Sequence, residues 1–334
     1  MTLFTAAGML IGDTRGCMRG IRGVPSAYIR SVYIGWLRTQ EELYRDRSDD
    51  EFNARDCWLL DVPELFSRRA PGNTCLSALK IHKRDAAYAE AYNPTNMCEG
   101  FVGLRLNTSK GCGGIMRVAP LGVCYKNLRQ ELLDKEGAEI AAITHSHSLG
   151  YMPAAVLAHI LHSIVYYRNG RSLEEIVVEA RYCIYQMYRD DKHIMELVDK
   201  INLAIELSKN SNSDLNNINR IGEGWVAEET LGIAIYCALK HQDDFSVGVI
   251  AAVNHKGDSD STGAVTGNIL GAWLGYDAID NKWKENLELR DVIEEIAEDL
   301  TYGCMMSEYG DYKDPAWETK YMYMHRWNES GASV

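Results

Sequence analysis

Apolar residues recur at helical intervals along nearly the whole chain, and no alternating pattern of useful strand length interrupts them. That periodicity confines the chain to an all-α fold. In "GYMPAAVLAHILHSIVYY", residues 150–167, Ala155, Leu157, Ala158, Leu161, Ile164 and Val165 fall at helical spacing. "SLEEIVVEARYCIYQMY" opens on Ser172 with Glu175 three residues later, the pattern of a capping box. Ile176, Ala180, Cys183, Ile184 and Met187 then mark one face. Further helical patterns cover about 190–209, 225–240, 243–254, 260–275 and 289–303. The polar stretch "KNSNSDLNNINRIGEG", 209–224, is expected to be a loop between helices, because Asn and Ser favour turns. With no repeat period and no long linker, a single all-α domain over residues 1–334 is the expectation.

Composition narrows the partners. The formal net charge is −12, and an acidic surface repels phosphate backbones, which argues against nucleic acid as the main partner. A small anionic ligand is compatible with that charge if a cation or backbone N–H groups receive it. Nine cysteines at irregular spacing form no CxxC pair, which points to reduced thiols and away from zinc. The opening "MTLFTAAGMLIG" is apolar without a basic stretch before it, and both it and the glycine-rich run 263–276 are shorter than the ~20 residues of a membrane span. A soluble, cytoplasmic protein with no membrane association is expected, its first residues having the character of core helix.

The stretch "NHKGDSDSTGAVTGNILGAWLG", 254–275, sets Asp258 and Asp260 among the hydroxyls of Ser259, Ser261 and Thr262 at the mouth of an apolar helix. Helix capping accounts for such a pattern at a gain of ~0.3–1 kcal/mol. An EF-hand does not, because Ile269 stands where its bidentate Glu is required. An embedded site for a hard cation such as Mg²⁺, Mn²⁺ or Ca²⁺ also accounts for it. Gly263, Gly267, Gly271 and Gly275 recur every four residues, a bare stripe against which another backbone is expected to pack closely. Glycine in a helix interior costs ~1 kcal/mol relative to alanine, so the stripe calls for a packing reason.

"NTSKGCGGIMRVAPLG", 107–122, brings Gly111, Gly113 and Gly114 together around Cys112, with Ser109 and Lys110 in front. Consecutive N–H groups in such a loop form an anion nest, though the same pattern serves as a structural turn. It is neither a Walker A loop nor GxGxxG, and no general base is paired with Cys112 by sequence. His145 and His147 in "ITHSHSLGYMP" point about 200° apart on helical geometry, a poor arrangement for sharing one metal. Each is left to act singly, as a donor to phosphate or as an exposed side chain. His159 and His162 read as ordinary surface or core positions. In "GEGWVAEETLGIAIYCAL", 222–239, Trp225 suits stacking on a ring, with core packing as the default, and Glu228 and Glu229 suit a helix first turn.

Taken in order, "RRAPGNTCLSAL" at 68–79, "SKGCGGIMRVAPLG" at 109–122, "THSHSLGYMPAA" at 144–155, "GEGWVAEETLGIAIYCAL" and "NHKGDSDSTGAVTGNILGAWLG" resemble the ADP-ribosylglycohydrolase family, the all-α relatives of dinitrogenase-reductase-activating glycohydrolase. The resemblance implies hydrolysis of the glycosidic bond between ADP-ribose and an acceptor. It implies a two-metal Mg²⁺ or Mn²⁺ centre, with Asp258, Asp260 and Ser261 as ligands. It places the pyrophosphate of ADP-ribose on Ser109, Lys110, Gly111, Cys112, Gly113 and Gly114, and His145 near the same ligand. Cys112 stands where some relatives carry asparagine. The family's remaining acidic ligands lie in a stretch that would precede Met1. The expectation is therefore that this chain carries half of the metal centre, either because the true start lies upstream or because the protein is a catalytically impaired ADP-ribose-binding or immunity-type protein.

Overall fold

The computed structural model describes residues 1–44, 57–87 and 100–326, with side chains to residue 84 in the second stretch. Fourteen α-helices are assigned among them: α1 (Thr2–Arg19), α2 (Pro25–Glu41), α3 (Asn73–Ala87), α4 (Ala119–Cys124), α5 (Gln130–Ala142), α6 (Ser148–Tyr167), α7 (Leu173–Met187), α8 (Ile194–Ser208), α9 (Asp214–Ile221), α10 (Ala227–Lys240), α11 (Phe245–Val253), α12 (Ser259–Leu274), α13 (Arg290–Tyr302) and α14 (Pro315–Tyr321). Among the described residues there is no sheet, only an isolated antiparallel bridge between Gly111 and Val226. The all-α fold read from the periodicity is the fold observed.

The chain divides into two compact units, Met1–Cys98 with Leu289–Val334, and Glu99–Glu288. In the first, α1 packs on α2, α13 and α14 and buries Phe4, Met9 and Leu10, as the core-like opening sequence predicted. Trp317 and Tyr321 of α14 are buried, while residues 327–334 of the C-terminal stretch lie outside the described residues.

The second unit is built around α6. This helix is long and apolar enough to cross a membrane, but it is enclosed by α4, α5, α7, α10 and α12 and serves as a core helix. Every residue from Ser148 to Ile164 is buried. Its two histidines are core positions: His159 Nδ1 meets Asp134 at 2.9 Å, and His162 Nδ1 meets Gln130 at 2.9 Å, both partners on α5. The capping box at α7 forms as read, with Glu175 N donating to Ser172 Oγ and Ser172 N to the Glu175 carboxylate.

Two expectations need correction. Residues 209–224 are not all loop, because α9 occupies Asp214–Ile221 with Ser213 as its N-cap. Ile218 and Ile221, three apart, bury one face, and the amide of buried Asn217 donates to Tyr236 at 3.1 Å. Tertiary burial outweighs the turn propensity of the asparagines. The glycine stripe of α12 does not meet a backbone. A β-carbon at Gly263 would lie 2.6 Å from Val253 Cγ1, and one at Gly267 or Gly271 about 4 Å from the Phe245 ring. Gly275, at φ 86°, ends the helix. Side chains of α11 fill the space that bare glycines leave.

Candidate active site

Four pieces of the second unit meet: the glycine loop 109–114, the turn before α6, the strap 222–227 before α10, and the acidic turn at the head of α12. The backbone ties them directly. Ala227 N donates to Lys110 O at 2.9 Å, beside the Gly111–Val226 bridge, and Asp258 N donates to Glu223 O at 2.8 Å. The strap is thus fixed to the glycine loop at one end and to the acidic turn at the other. Its bend is held by Glu229, whose carboxylate accepts from Glu223 N and Gly224 N, and by Thr230 Oγ1 donating to Gly224 O.

The acidic turn also reaches the glycine loop through side chains. Cys112 Sγ donates to Asp258 Oδ2 at 2.9 Å, and Ser261 Oγ donates to the same oxygen at 2.9 Å. Burial pushes the Asp258 carboxyl up, but hydrogen bonds from Asp260, Cys112 and Ser261 outweigh it and hold it below the usual range. Asp260, hydrogen-bonded to Asp258, is pushed above that range. Cys112 is no nucleophile here, since burial and the neighbouring carboxylate push its thiol up to about 12.

The histidines are not on a helix, so the opposed geometry expected for them does not arise. His145 precedes α6, and His147 is its N-cap, accepting from Leu149 N. His145 is buried, and desolvation, with the Arg117 guanidinium nearby, lowers its pKa to about 3. It is therefore neutral at physiological pH. Thr144 Oγ1 accepts from Arg117 and lies within hydrogen-bond distance, 2.8 Å, of His145 Nδ1. Nε2 lies 3.6 Å from where a β-carbon on Gly111 would sit, so the neutral ring borders the glycine loop.

Sequence reasoning missed two residues that build this arrangement. Arg117, fully buried, donates to Gly113 O, Ile140 O, Ala141 O and Thr144 Oγ1. It joins the glycine loop to the end of α5 and to the His145 turn. Its signal was a single charge in the apolar run "IMRVAPL". Asn107 Nδ2 donates to Thr144 O at 2.8 Å, while its Oδ1 accepts from Ser109 N and Ser146 N. An asparagine at a loop start carries no such signal.

The remaining sequence-predicted residues fall in different places. Ser109, Gly111 and Cys112 line the junction with His145 and Asp258. Gly114 faces inward, where a β-carbon would meet Gly150 O at 2.9 Å. The Lys110 ammonium is engaged by Glu228 at 2.5 Å, and that hydrogen bond raises its pKa. Trp225 is not core, since the residue is 58% exposed.

His145 gives a pH-dependent prediction. Its folded pKa, about 3, lies below the unfolded value of 6.5, so between these values the unfolded chain binds a proton that the folded chain does not. Stability should be complete above pH 6.5 and fall as pH drops towards 3. A His145→Asn variant should lose less Tm than wild type on acidification from about pH 7 to 5. Equal losses in thermal melts would contradict the burial of a neutral ring.

With this geometry in place, comparison with known proteins identifies the kinship. The sequence pattern of the ADP-ribosylglycohydrolase family matches residues 1–309. An uncharacterized protein of Archaeoglobus fulgidus is 30% identical over 193 residues, 58% of each chain. ADP-ribosylhydrolase ARH3 of Bos taurus is 22% identical over 213 residues, 58% of this chain and 57% of that one. ADP-ribosylarginine hydrolase Tri1 of Serratia proteamaculans is 28% identical over 193 residues, 58% of this chain and 46% of that one. The alignments thus span about half the length of these relatives. By the match over 1–309, the chain belongs to the ADP-ribosylglycohydrolase family.

Proposed function

We propose that this protein binds ADP-ribose and hydrolyses its glycosidic bond to an acceptor side chain. The observation that carries this reading is the junction itself: a glycine loop, a buried neutral histidine and a carboxylate pair held together by Cys112, Asp258 and the 222–227 strap. On a protein of net charge −12, a pyrophosphate needs such local receptors. Loop amides supply neutral donors, which attract the diphosphate without requiring a cationic side chain. The relatives named for ADP-ribosyl hydrolysis support the same chemistry.

The donor set of the acidic turn fits a hard divalent cation. Asp258 and Asp260 are adjacent oxygen donors whose opposed shifts show that each feels the other, and a divalent cation would relieve that repulsion. Asp258, Asp260 and Ser261 would hold Mg²⁺ or Mn²⁺, which would supply Lewis-acid stabilisation of charge developing near the anomeric carbon. The chain's own residues fix the carboxylates: the Cys112 and Ser261 hydrogen bonds orient Asp258, and Glu223 O anchors its backbone. A second reading is a protein that holds ADP-ribose without hydrolysing it. It is favoured by one observation: among the described residues, no group of three or more His, Cys, Asp or Glu gathers to hold a cation.

Calorimetric titration with ADP-ribose tests the reading without a choice of acceptor. With Mg²⁺ at about 5–10 mM, in excess over a weak site, binding should be tighter than in chelator. Binding indifferent to Mg²⁺, with no release of ADP-ribose from modified substrates, would favour the second reading. No binding in either condition would overturn both.

A further inference from the structure

Lys110 gives the glycine loop a cation that the loop does not offer to an anion. Its ammonium is engaged by the Glu228 carboxylate at 2.5 Å. Glu228 belongs to the first turn of α10. The backbone ties that helix head to the loop as well, through Ala227 N donating to Lys110 O and the bridge from Val226 to Gly111. The carboxylate is therefore fixed beside the start of the loop.

The fold gains little from an acid at this position. Glu228 is 4% exposed, and its Oε2 has no hydrogen-bond partner among the described residues. Burial raises its pKa in spite of the lysine. The helix start is already served by Glu229 in the same turn, which also holds the bend of the strap. A buried ion pair seldom stabilises a fold more than an apolar pair of like volume. What the pair does accomplish is electrical. It cancels the lysine charge beside the loop amides, and the carboxylates of Glu196 and Glu229 act on the same ammonium from further away. Arg117 is fully buried, with its donors on the carbonyls of Gly113, Ile140 and Ala141 and on Thr144, out of a ligand's reach.

We propose that Glu228 is a specificity-determining residue: by neutralising Lys110 it lets the glycine loop accept a diphosphate esterified at both ends, as in ADP-ribose, and reject nucleotides that end in a free phosphate, such as ADP and ATP. This rests on the proposed function and adds how the same loop tells its anions apart. A diphosphate diester carries one negative charge per phosphate, whereas a terminal phosphate gains most of a second one above its second pKa of about 6. Loop amides are neutral donors that serve either ligand. An unpaired lysine beside them would favour the more highly charged one, as a P-loop lysine does. With Lys110 cancelled, the carboxylates of Glu196 and Glu229 repel each charge that the ligand adds.

The test is equilibrium binding of ADP-ribose and of ADP to the full chain in chelator, at pH 8 and about 0.05 M salt, where carboxylates are ionised and charge is little screened. Wild type should bind ADP-ribose more tightly than ADP. Glu228→Gln keeps the shape and an acceptor for Lys110 but leaves the ammonium charge uncancelled. ADP should then gain about 3- to 50-fold relative to ADP-ribose, the Coulomb effect of one charge at about 7 Å between the limits of water and a protein surface. Lys110→Gln shifts the charge the other way, and ADP should lose a similar factor relative to ADP-ribose. A structural fastening would weaken both ligands together and leave their ratio unchanged. If one variant fails to fold, the other decides. The inference is overturned if the ratio stays put in both variants or moves the same way in both, or if wild type binds ADP as tightly as ADP-ribose. It is equally overturned if Glu228→Gln moves the ratio by weakening ADP-ribose, since the carboxylate would then touch the sugar. Failure of both variants to fold also overturns it, because the pair would then be a structural fastening. Wild type that does not bind ADP-ribose at all overturns the proposed function itself, and the inference with it.

Discussion

Replacing Asp258 by Asn should reduce hydrolysis of an ADP-ribosylated substrate by about 100- to 1000-fold, the usual effect of removing one preorganised electrostatic group. The fold should survive. Asn keeps an acceptor oxygen for the Ser261 hydroxyl and the backbone bond to Glu223 O, while removing the negative charge that the thiol and hydroxyl of Cys112 and Ser261 are arranged to support. The measurement is the initial rate of ADP-ribose release alongside a thermal melt. A variant with unchanged rate would show that the Asp258 charge has no part in the reaction. A variant that melts well below wild type would show that the carboxylate is a structural element first.

A second large effect is expected from one methyl group. At Gly257 a β-carbon would lie 1.8 Å from the Glu223 carbonyl oxygen and 2.6 Å from its carbon. Both are backbone atoms, and neither moves without breaking the bond from Asp258 N to Glu223 O. Gly257→Ala should therefore separate the strap from the acidic turn and destabilise the protein by about 1–3 kcal/mol, the range for overpacking a well-filled site. The Tm should fall by several degrees, and ADP-ribose affinity should fall with it. Gly267→Ala is the control in the same unit. Its added carbon would lie 4.0 Å from the Phe245 ring, an ordinary contact, and alanine is the better helix former by ~1 kcal/mol. It should leave Tm unchanged or raised. Equal losses in the two variants would mean that the close approach at Gly257 is not what sets the strap.

The contrast between these glycines shows where sequence reading succeeds. Four glycines at a spacing of four suggest a place where backbones touch, yet α12 presents Gly263, Gly267 and Gly271 to side chains of α11 and ends before Gly275. The glycine on which the site depends, Gly257, stood unremarked before the acids, because nothing local distinguishes it. Asp258, Asp260 and Ser261 were legible because clustered carboxylates and hydroxyls at a helix start are an unusual local chemistry. Lys110 was legible as part of the loop, but its use was not, since its partner Glu228 lies 118 residues away. Asn217 read as a turn former and proved to be a buried helical residue, because Tyr236 and the carbonyl of Leu207 satisfy its amide.

The sequence by itself determined the all-α class, the helices with strong apolar periodicity such as α6 and α7, and the family. Helical periodicity and capping depend on residues three or four apart, so Ser172 with Glu175 and the apolar face of α7 are written within a few positions. The tertiary structure alone decided that Cys112 supports Asp258 from 146 residues away, that Arg117 joins the glycine loop to His145, and that Trp225 faces outward on a pinned strap. Those facts depend on how helices pack, and packing is set by the shape and burial of many side chains at once. No local pattern records which distant carbonyl a buried guanidinium will find, or which aromatic ring the packing will leave uncovered.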